Sequence, residues 1–198
     1  MRDMLKLFLS VVVFSAVSGG LLGGLKGATQ ERIEYQQLVN VKGPAIREIL
    51  EGASNDPLTD RFKIKDGEVE RNFFMGVFDG KPNTVVVESS GKGYGGNIGV
   101  VVALNLESDQ IVGVSLTTHS ETPGLGARAK TDPSFVRQFK GLPVKEPPKV
   151  KAEGGKVDAI SGATTTSRGV CGAVGEALEI YGRLKGEIVQ KAKTIKKA

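Results

Sequence analysis

Nineteen consecutive residues without a charge, LFLSVVVFSAVSGGLLGGL at 7–25, constrain this chain more than any other feature. A helix of about 20 apolar residues crosses the hydrocarbon core of a bilayer. A cleaved secretory signal is the rival reading, but its apolar stretch usually has about 7–15 residues and a small-residue cleavage site. The run here is longer, with no clear Ala-x-Ala site. Residues 1–28 are therefore read as a membrane anchor and residues 29–198 as one domain. Ser18, Gly19, Gly20, Gly23 and Gly24 would let another helix approach closely, or would only be tolerated by lipid. Arg2 and Lys6 precede the span, and Lys26 and Arg32 follow it, so charge gives little orientation. The usual solution is a cytoplasmic N-terminus with the domain translocated.

The rest of the chain excludes several chemistries. Net charge is +5, with 27 basic against 22 acidic residues, which is not the dense basic face of a nucleic-acid binder. Lys185, Lys191, Lys193, Lys196 and Lys197 crowd the C-terminus and read as a solvated, frayed end. One Cys and one His cannot ligate a haem, an iron–sulfur cluster or a structural zinc. Cys171 falls in an apolar helical stripe and reads as a small core residue. Redox chemistry would have to come from an organic cofactor.

Periodicity gives an α+β domain. Helical pieces are expected over 33–38 and 44–50. Runs rich in Val, Ile and Phe at 72–78, 84–88, 98–105 and 111–118 read as strands, separated by turn clusters at 79–83, 91–97 and 107–110. Connections this short favour a mainly antiparallel sheet. A helix is expected over 132–139 and a Pro-broken loop over 141–148. Val170, Ala173, Val174, Ala177, Leu178, Tyr181 and Leu184 recur at helical spacing, predicting a helix over 168–185 with Thr166 or Ser167 as its N-cap.

Just before that helix stands DAISGATTTS, residues 158–167, with five hydroxyls between Ser161 and Ser167. A helix start is an anion site, because its N–H groups are unpaired and its dipole end is positive. The loop lacks the Gly-Lys-Ser/Thr ending of a phosphate-binding Walker loop and is no Gly-x-Ser-x-Gly elbow. The residues alone leave two readings open, a Ser/Thr-rich cap with spare hydroxyls and an anion-binding helix start.

Asp158, Ser161, Gly162, Ala163 and Thr164 together resemble the Asp-x-x-Ser/Thr-Gly-Ala-Thr flavinylation motif of the FMN-binding domain family. His119 to Gly126, HSETPGLG, resembles that family's Glu-Thr-Pro-Gly-Leu-Gly loop, and Gly93 to Gly96 its glycine-rich turn. The resemblance covers about residues 91–167. With one anchor and one domain, the chain is similar to the G subunits of Rnf complexes, the ion-translocating ferredoxin:NAD+ oxidoreductases. The C subunits of sodium-translocating NADH:quinone reductases share anchor and motif and are the alternative. A membrane-anchored binding module without redox activity is another.

The resemblance implies an electron-transfer subunit carrying FMN covalently, through a phosphoester to Thr164, with Asp158, Ser161, Gly162 and Ala163 as the recognition motif. It implies two kinds of partner, the other subunits of an Rnf complex and a flavin transferase that uses FAD. Cofactor contacts are expected from Tyr94, His119, Glu121, Thr122, Gly124, Leu125, Gly126, Thr165, Thr166 and Ser167. Each has an alternative. Tyr94 would pack against the sheet, His119 would be an exposed polar loop residue, Glu121, read as holding a backbone N–H or a cofactor hydroxyl, would be a solvated charge, and residues 122–126 would be only a type II turn.

Overall fold

The computed structural model describes residues 2–195, so Lys196 and Lys197 of the expected frayed end lie outside the described residues. The chain divides into two compact units, residues 1–40 and 41–198. The first is dominated by α1, Arg2–Gln37, which buries none of its residues within the chain. Among the described residues it is the one helix long and apolar enough to cross a membrane. The separate helical piece expected at 33–38 does not exist, because α1 continues through it. No Gly or Pro lies between Gly27 and Leu38, and the Gln30 amide donates to Glu34 one turn on at 2.8 Å. A π-helical turn, Leu38–Lys42, follows α1.

The second unit is built on a five-stranded antiparallel meander: β1 (Arg61–Asp66), β2 (Val69–Phe78), β3 (Lys81–Lys92), β4 (Asn97–Asn105) and β5 (Gln110–Thr118), paired in sequence order. Four strands lie where alternation places them, though β3 is longer than expected at both ends. Its start absorbs Lys81, Pro82 and Asn83, so the turn after β2 shrinks to Asp79 and Gly80, both with positive φ. β1 has no counterpart among the expected strands. Arg61, Lys63 and Lys65 alternate with Phe62 and Ile64, so its apolar signal is thin, as suits an edge strand. It is held by pairing with β2 and by Phe62 stacking on Phe73, centroids 5.7 Å apart.

Alternation gives the sheet two apolar faces. Phe73, Met75, Val85, Val87, Val100, Val102, Leu104 and Leu116 belong to the main core. Across it lies α5, Thr164–Thr194, contributing Val170, Val174, Leu178, Tyr181 and Ile188. Phe74, Val86, Val101 and Ala103 are buried on the reverse face, where α2, Gly43–Ile49, packs over β5 and β4. Ile46 is fully buried there. Leu50, the residue after α2, lies over Gly76, and Ile49 lies over Gly113.

The expected helix over 132–139 is the shorter α4 (Pro133–Arg137), and a separate turn of helix that was not expected, α3 (Arg128–Thr131), precedes it. Pro133 forces Asp132 into an extended conformation, and Asp132 then caps α4 by accepting from Ser134 N–H at 3.0 Å. The long last helix begins four residues before its expected start and ends nine residues after its expected end. Ile188 and Ala192 remain buried, so the segment holding Lys185, Lys191 and Lys193 is ordered helix rather than a frayed end. Lys185 reaches Asp109 at 2.6 Å. Cys171 is the core residue expected, and burial pushes its thiol up to about 12.

Candidate functional site

At one end of the sheet, three segments enclose a cleft of about 550 Å3: Tyr94 in the turn between β3 and β4, the loop after β5, and the start of α5. Its lining is Tyr94, Glu121, Thr122, Leu125, Gly126, Gly162, Ala163, Thr164, Thr165 and Thr166. The volume lies within the range of small-molecule sites. The three motifs singled out in the sequence therefore converge, although more than 60 residues separate Tyr94 from Thr164.

The start of α5 forms one wall. Ile160 O accepts from Ala163 N–H at 2.9 Å, and Gly162 takes φ +78°, a left-handed conformation that favours glycine. This turn sets Ala163, not Thr166 or Ser167, at the N-cap, and no side chain caps the helix. The expected capping residues are committed elsewhere. Ser167 is fully buried; its hydroxyl donates to Ala163 O and accepts from Ile160 N–H, both at 3.0 Å, and it does not line the cleft. Thr166 is buried and donates to the Glu121 carboxylate. The first N–H groups of α5, at Thr164, Thr165 and Thr166, thus have no acceptor among the described residues. The Thr164 and Thr165 side chains are exposed.

The opposite wall is the loop after β5. Thr122 O accepts from Leu125 N–H at 3.2 Å, with Pro123 and Gly124 between them and Gly124 at φ +75°. That is the type II turn expected. It turns Leu125, about half exposed, toward Gly162, where a Cβ would lie 3.2 Å from Leu125 Cδ2. Tyr94 does not pack against the sheet; at 79% exposure it stands at the cleft edge. Glu121 is not a solvated charge but is 5% exposed, and one oxygen accepts the Gly95 N–H at 2.8 Å. His119 and Gly124 are not among the lining residues; His119 Nδ1 instead accepts the Glu121 N–H at 3.4 Å.

Asp158 stands outside the cleft, exposed and paired with Lys151 at 2.7 Å. Gln138 grips its backbone from both sides, accepting Asp158 N–H at 2.7 Å and donating to Asp158 O at 3.2 Å. Neither Gln138 nor Lys151 was legible as a neighbour of the motif, since a side chain reaching across 20 positions, as from Gln138, or to an exposed ion pair, as from Lys151, leaves no periodic trace.

The arrangement combines free helix N–H groups, an exposed hydroxyl at Thr164 and an apolar edge at Tyr94 and Leu125. It can hold a phosphate beside a flat apolar group. A family profile described as FMN-binding domain matches residues 93–179, which include all three segments. Two relatives are named as G subunits of the ion-translocating oxidoreductase complex. The one from Methanosarcina acetivorans is 36% identical, over 93% of this chain and 98% of its own length. That from Stutzerimonas stutzeri is 31% identical, over 87% and 82%. Among solved structures, the C subunit of the sodium-translocating NADH-quinone reductase from Parabacteroides distasonis shares the fold, with TM-score 0.58 at 23% identity over 77% of this chain and 95% of that one. NqrC of Shewanella oneidensis matches with TM-score 0.50 at 30% identity, over 68% and 72%.

Proposed function

The chain belongs to the family of G subunits of ion-translocating oxidoreductase complexes, and from that membership we propose that it is a membrane-anchored electron-transfer flavoprotein whose FMN is esterified to Thr164. The observation that carries this is the helix start: Thr164 is exposed at the mouth of a cleft whose free N–H groups suit a phosphate. FMN in that cleft would supply one-electron transfer, which no side chain of this chain provides. The N–H groups of Thr164, Thr165 and Thr166 and the Thr165 hydroxyl would hold the phosphate. Tyr94, Thr122, Leu125 and Gly126 would border the ring.

Attachment requires a second protein. A threonine hydroxyl does not attack a phosphate unaided near neutral pH, so a flavin transferase would activate it. The Thr164 Oγ–P bond forms as the pyrophosphate bond of FAD breaks, AMP leaves, and the hydroxyl proton is released. The exposed Asp158 and the Gly162 turn are what such an enzyme would read. Residues 1–28 would anchor the chain as a single span with a cytoplasmic N-terminus. The domain would then lie outside the cytoplasm, where a covalent bond prevents loss of FMN.

Thr164→Val keeps the shape and deletes the nucleophile. The intact mass of this variant, made alongside the transferase, is expected to lack one FMN less one water, and the denatured band should not fluoresce under ultraviolet light. Thr165→Val should keep both signals. A fully labelled Thr164→Val protein would refute the attachment site.

A further inference from the structure

Glu121 is a buried carboxylate with no cationic side chain on it among the described residues. One oxygen accepts the Gly95 N–H at 2.8 Å and the other accepts the Thr166 hydroxyl. Those donors belong to two different walls of the cleft, and Glu121 itself belongs to the third. Two glycines leave room for it. A Cβ on Gly93 would lie 2.4 Å from Glu121 Oε1, and one on Gly126 would lie 2.6 Å from Oε2 and 2.7 Å from Thr166 Oγ1. A third, at Gly95, would meet Ser120 O at 2.1 Å, so the glycine-rich turn also lies backbone to backbone on the residue before Glu121. An unpaired buried charge is ordinarily costly. Here the positive end of α5 partly compensates it, since Thr166 sits in the first turn of that helix.

We propose that Glu121 is a positioning residue that latches the Gly93–Gly96 turn and the start of α5 together, fixing the width of the cleft, rather than a ligand of the cofactor. The proposal rests on the cleft being the FMN site. Both carboxylate oxygens are occupied and the side chain is buried, which leaves Glu121 little to offer a cofactor directly. Its donors include the Thr166 hydroxyl, so that hydroxyl is withdrawn from phosphate binding while the Thr166 N–H stays available. The Gly126 site is part of the same device, because any side chain there would push Glu121 off Thr166.

Glutamine can reproduce the latch, accepting from Gly95 N–H through Oε1 and donating to Thr166 Oγ1 through Nε2. Alanine cannot. The test uses the full chain in detergent, first in a flavin-free Thr164→Val background. Hydrogen exchange at the Gly95 amide is expected to speed by tenfold or more in Glu121→Ala, and to stay near the parent rate in Glu121→Gln. Gly126→Ala should also raise exchange across 93–96 and at the start of α5. In the flavin-bearing chain, iodide should quench the flavin of Glu121→Ala and Gly126→Ala several-fold more than that of the parent, with Glu121→Gln close to the parent. Unchanged Gly95 exchange in Glu121→Ala would overturn the latch whatever the flavin does. If exchange rises but quenching does not, the latch stands as a structural tie and its role in setting the flavin environment is overturned. Glutamine failing like alanine would transfer the role from geometry to charge and would also refute the proposal. Absence of flavin from the parent chain would instead count against the cofactor reading.

Discussion

Gly162 shows how one residue serves both the fold and the site. Its minimal side chain invites the explanation that it clears a path for a modifying enzyme. The structure supplies a nearer reason: φ +78° lets Ala163 N–H return to Ile160 O, which aims α5 at the cleft. An L side chain in the left-handed region costs roughly 1–2 kcal/mol, and a Cβ here would also press Leu125 Cδ2 at 3.2 Å. Gly162→Ala is therefore expected to lower the melting temperature by about 2–8 °C, at roughly 2–4 °C per kcal/mol for a unit this size, and to reduce labelling at Thr164. Calorimetry and intact mass would check both, and an unchanged melt would show that the turn relaxes at no cost. At this scale the sequence was informative where a residue's chemistry is unusual. Thr164, Leu125 and Gly126 are legible from motif and turn chemistry. Ser167 is not, because a hydroxyl at the edge of a motif looks the same whether it faces a ligand or ties Ile160 N–H to Ala163 O. Whether each lining residue touches a cofactor is a matter for the labelling and quenching experiments above.

Among elements, the contact that decides the site is that of β3 with the first turns of α5. A Cβ on Gly91 would lie 2.0 Å from Gly169 O, and one on Gly169 would lie 2.6 Å from Lys92 O. The helix and the strand end thus meet backbone to backbone, and Ser89 Oγ donates to Ala173 O at 2.7 Å one helical turn on. This proximity carries the helix start to the Gly93–Gly96 turn. Gly169→Ala, which would otherwise favour a helix by about 1 kcal/mol, is expected instead to destabilise by about 1–3 kcal/mol through overpacking. Gly172→Ala is its control, because a Cβ there meets nothing within 4 Å, and denaturant titration of the pair should give opposite signs. The apolar stripe of α5 was plain in the sequence, since seven positions share one period. Its beginning was hidden, because 164–167 holds only hydroxyl residues and hydroxyls read as caps. β1 was hidden for the converse reason: three basic residues at alternate positions look like solvated loop until the β2 pairing partner is known.

Over the whole second unit, two ionic ties hold the far half of α5 to the sheet. Arg183 donates to Asp66 at 2.8 Å, and Arg71 does so from the neighbouring strand at 2.8 Å. Lys185 and the Tyr181 hydroxyl donate to Asp109 at 2.6 and 2.9 Å. Hydrogen bonds from Arg183 and from Lys185 hold the Asp66 and Asp109 carboxyls below the usual carboxylate range. A carboxyl lowered by folding contributes stability above its unfolded value of about 3.9 and loses it as pH falls through the lower folded value. Melting temperature should thus show no loss from these ties between pH 7 and 5 and a decline below about pH 4. Asp109→Asn should flatten part of that decline while removing, for so exposed a pair, no more than about 1 kcal/mol at pH 7. The reverse face of the sheet sets the last expectation. Because α2 buries Ile46 and is followed by Leu50 over Gly76, it belongs to the core of this unit rather than to the anchor. A chain beginning at Gln30 lacks the apolar run and should be soluble, with the melt of the folded unit intact. A chain beginning at Gly52 would lose Ile46, Ile49 and Leu50 from the reverse face of the sheet. Losing two buried aliphatic side chains removes roughly 3–6 kcal/mol of burial, a large part of the stability of an ordinary domain, and leaves an apolar sheet face open to association. Size-exclusion chromatography of the two truncations should give a monomer for the first and aggregate for the second. A monomeric, cooperatively melting chain from Gly52 would show that α2 is only a cover on a sheet that stands by itself.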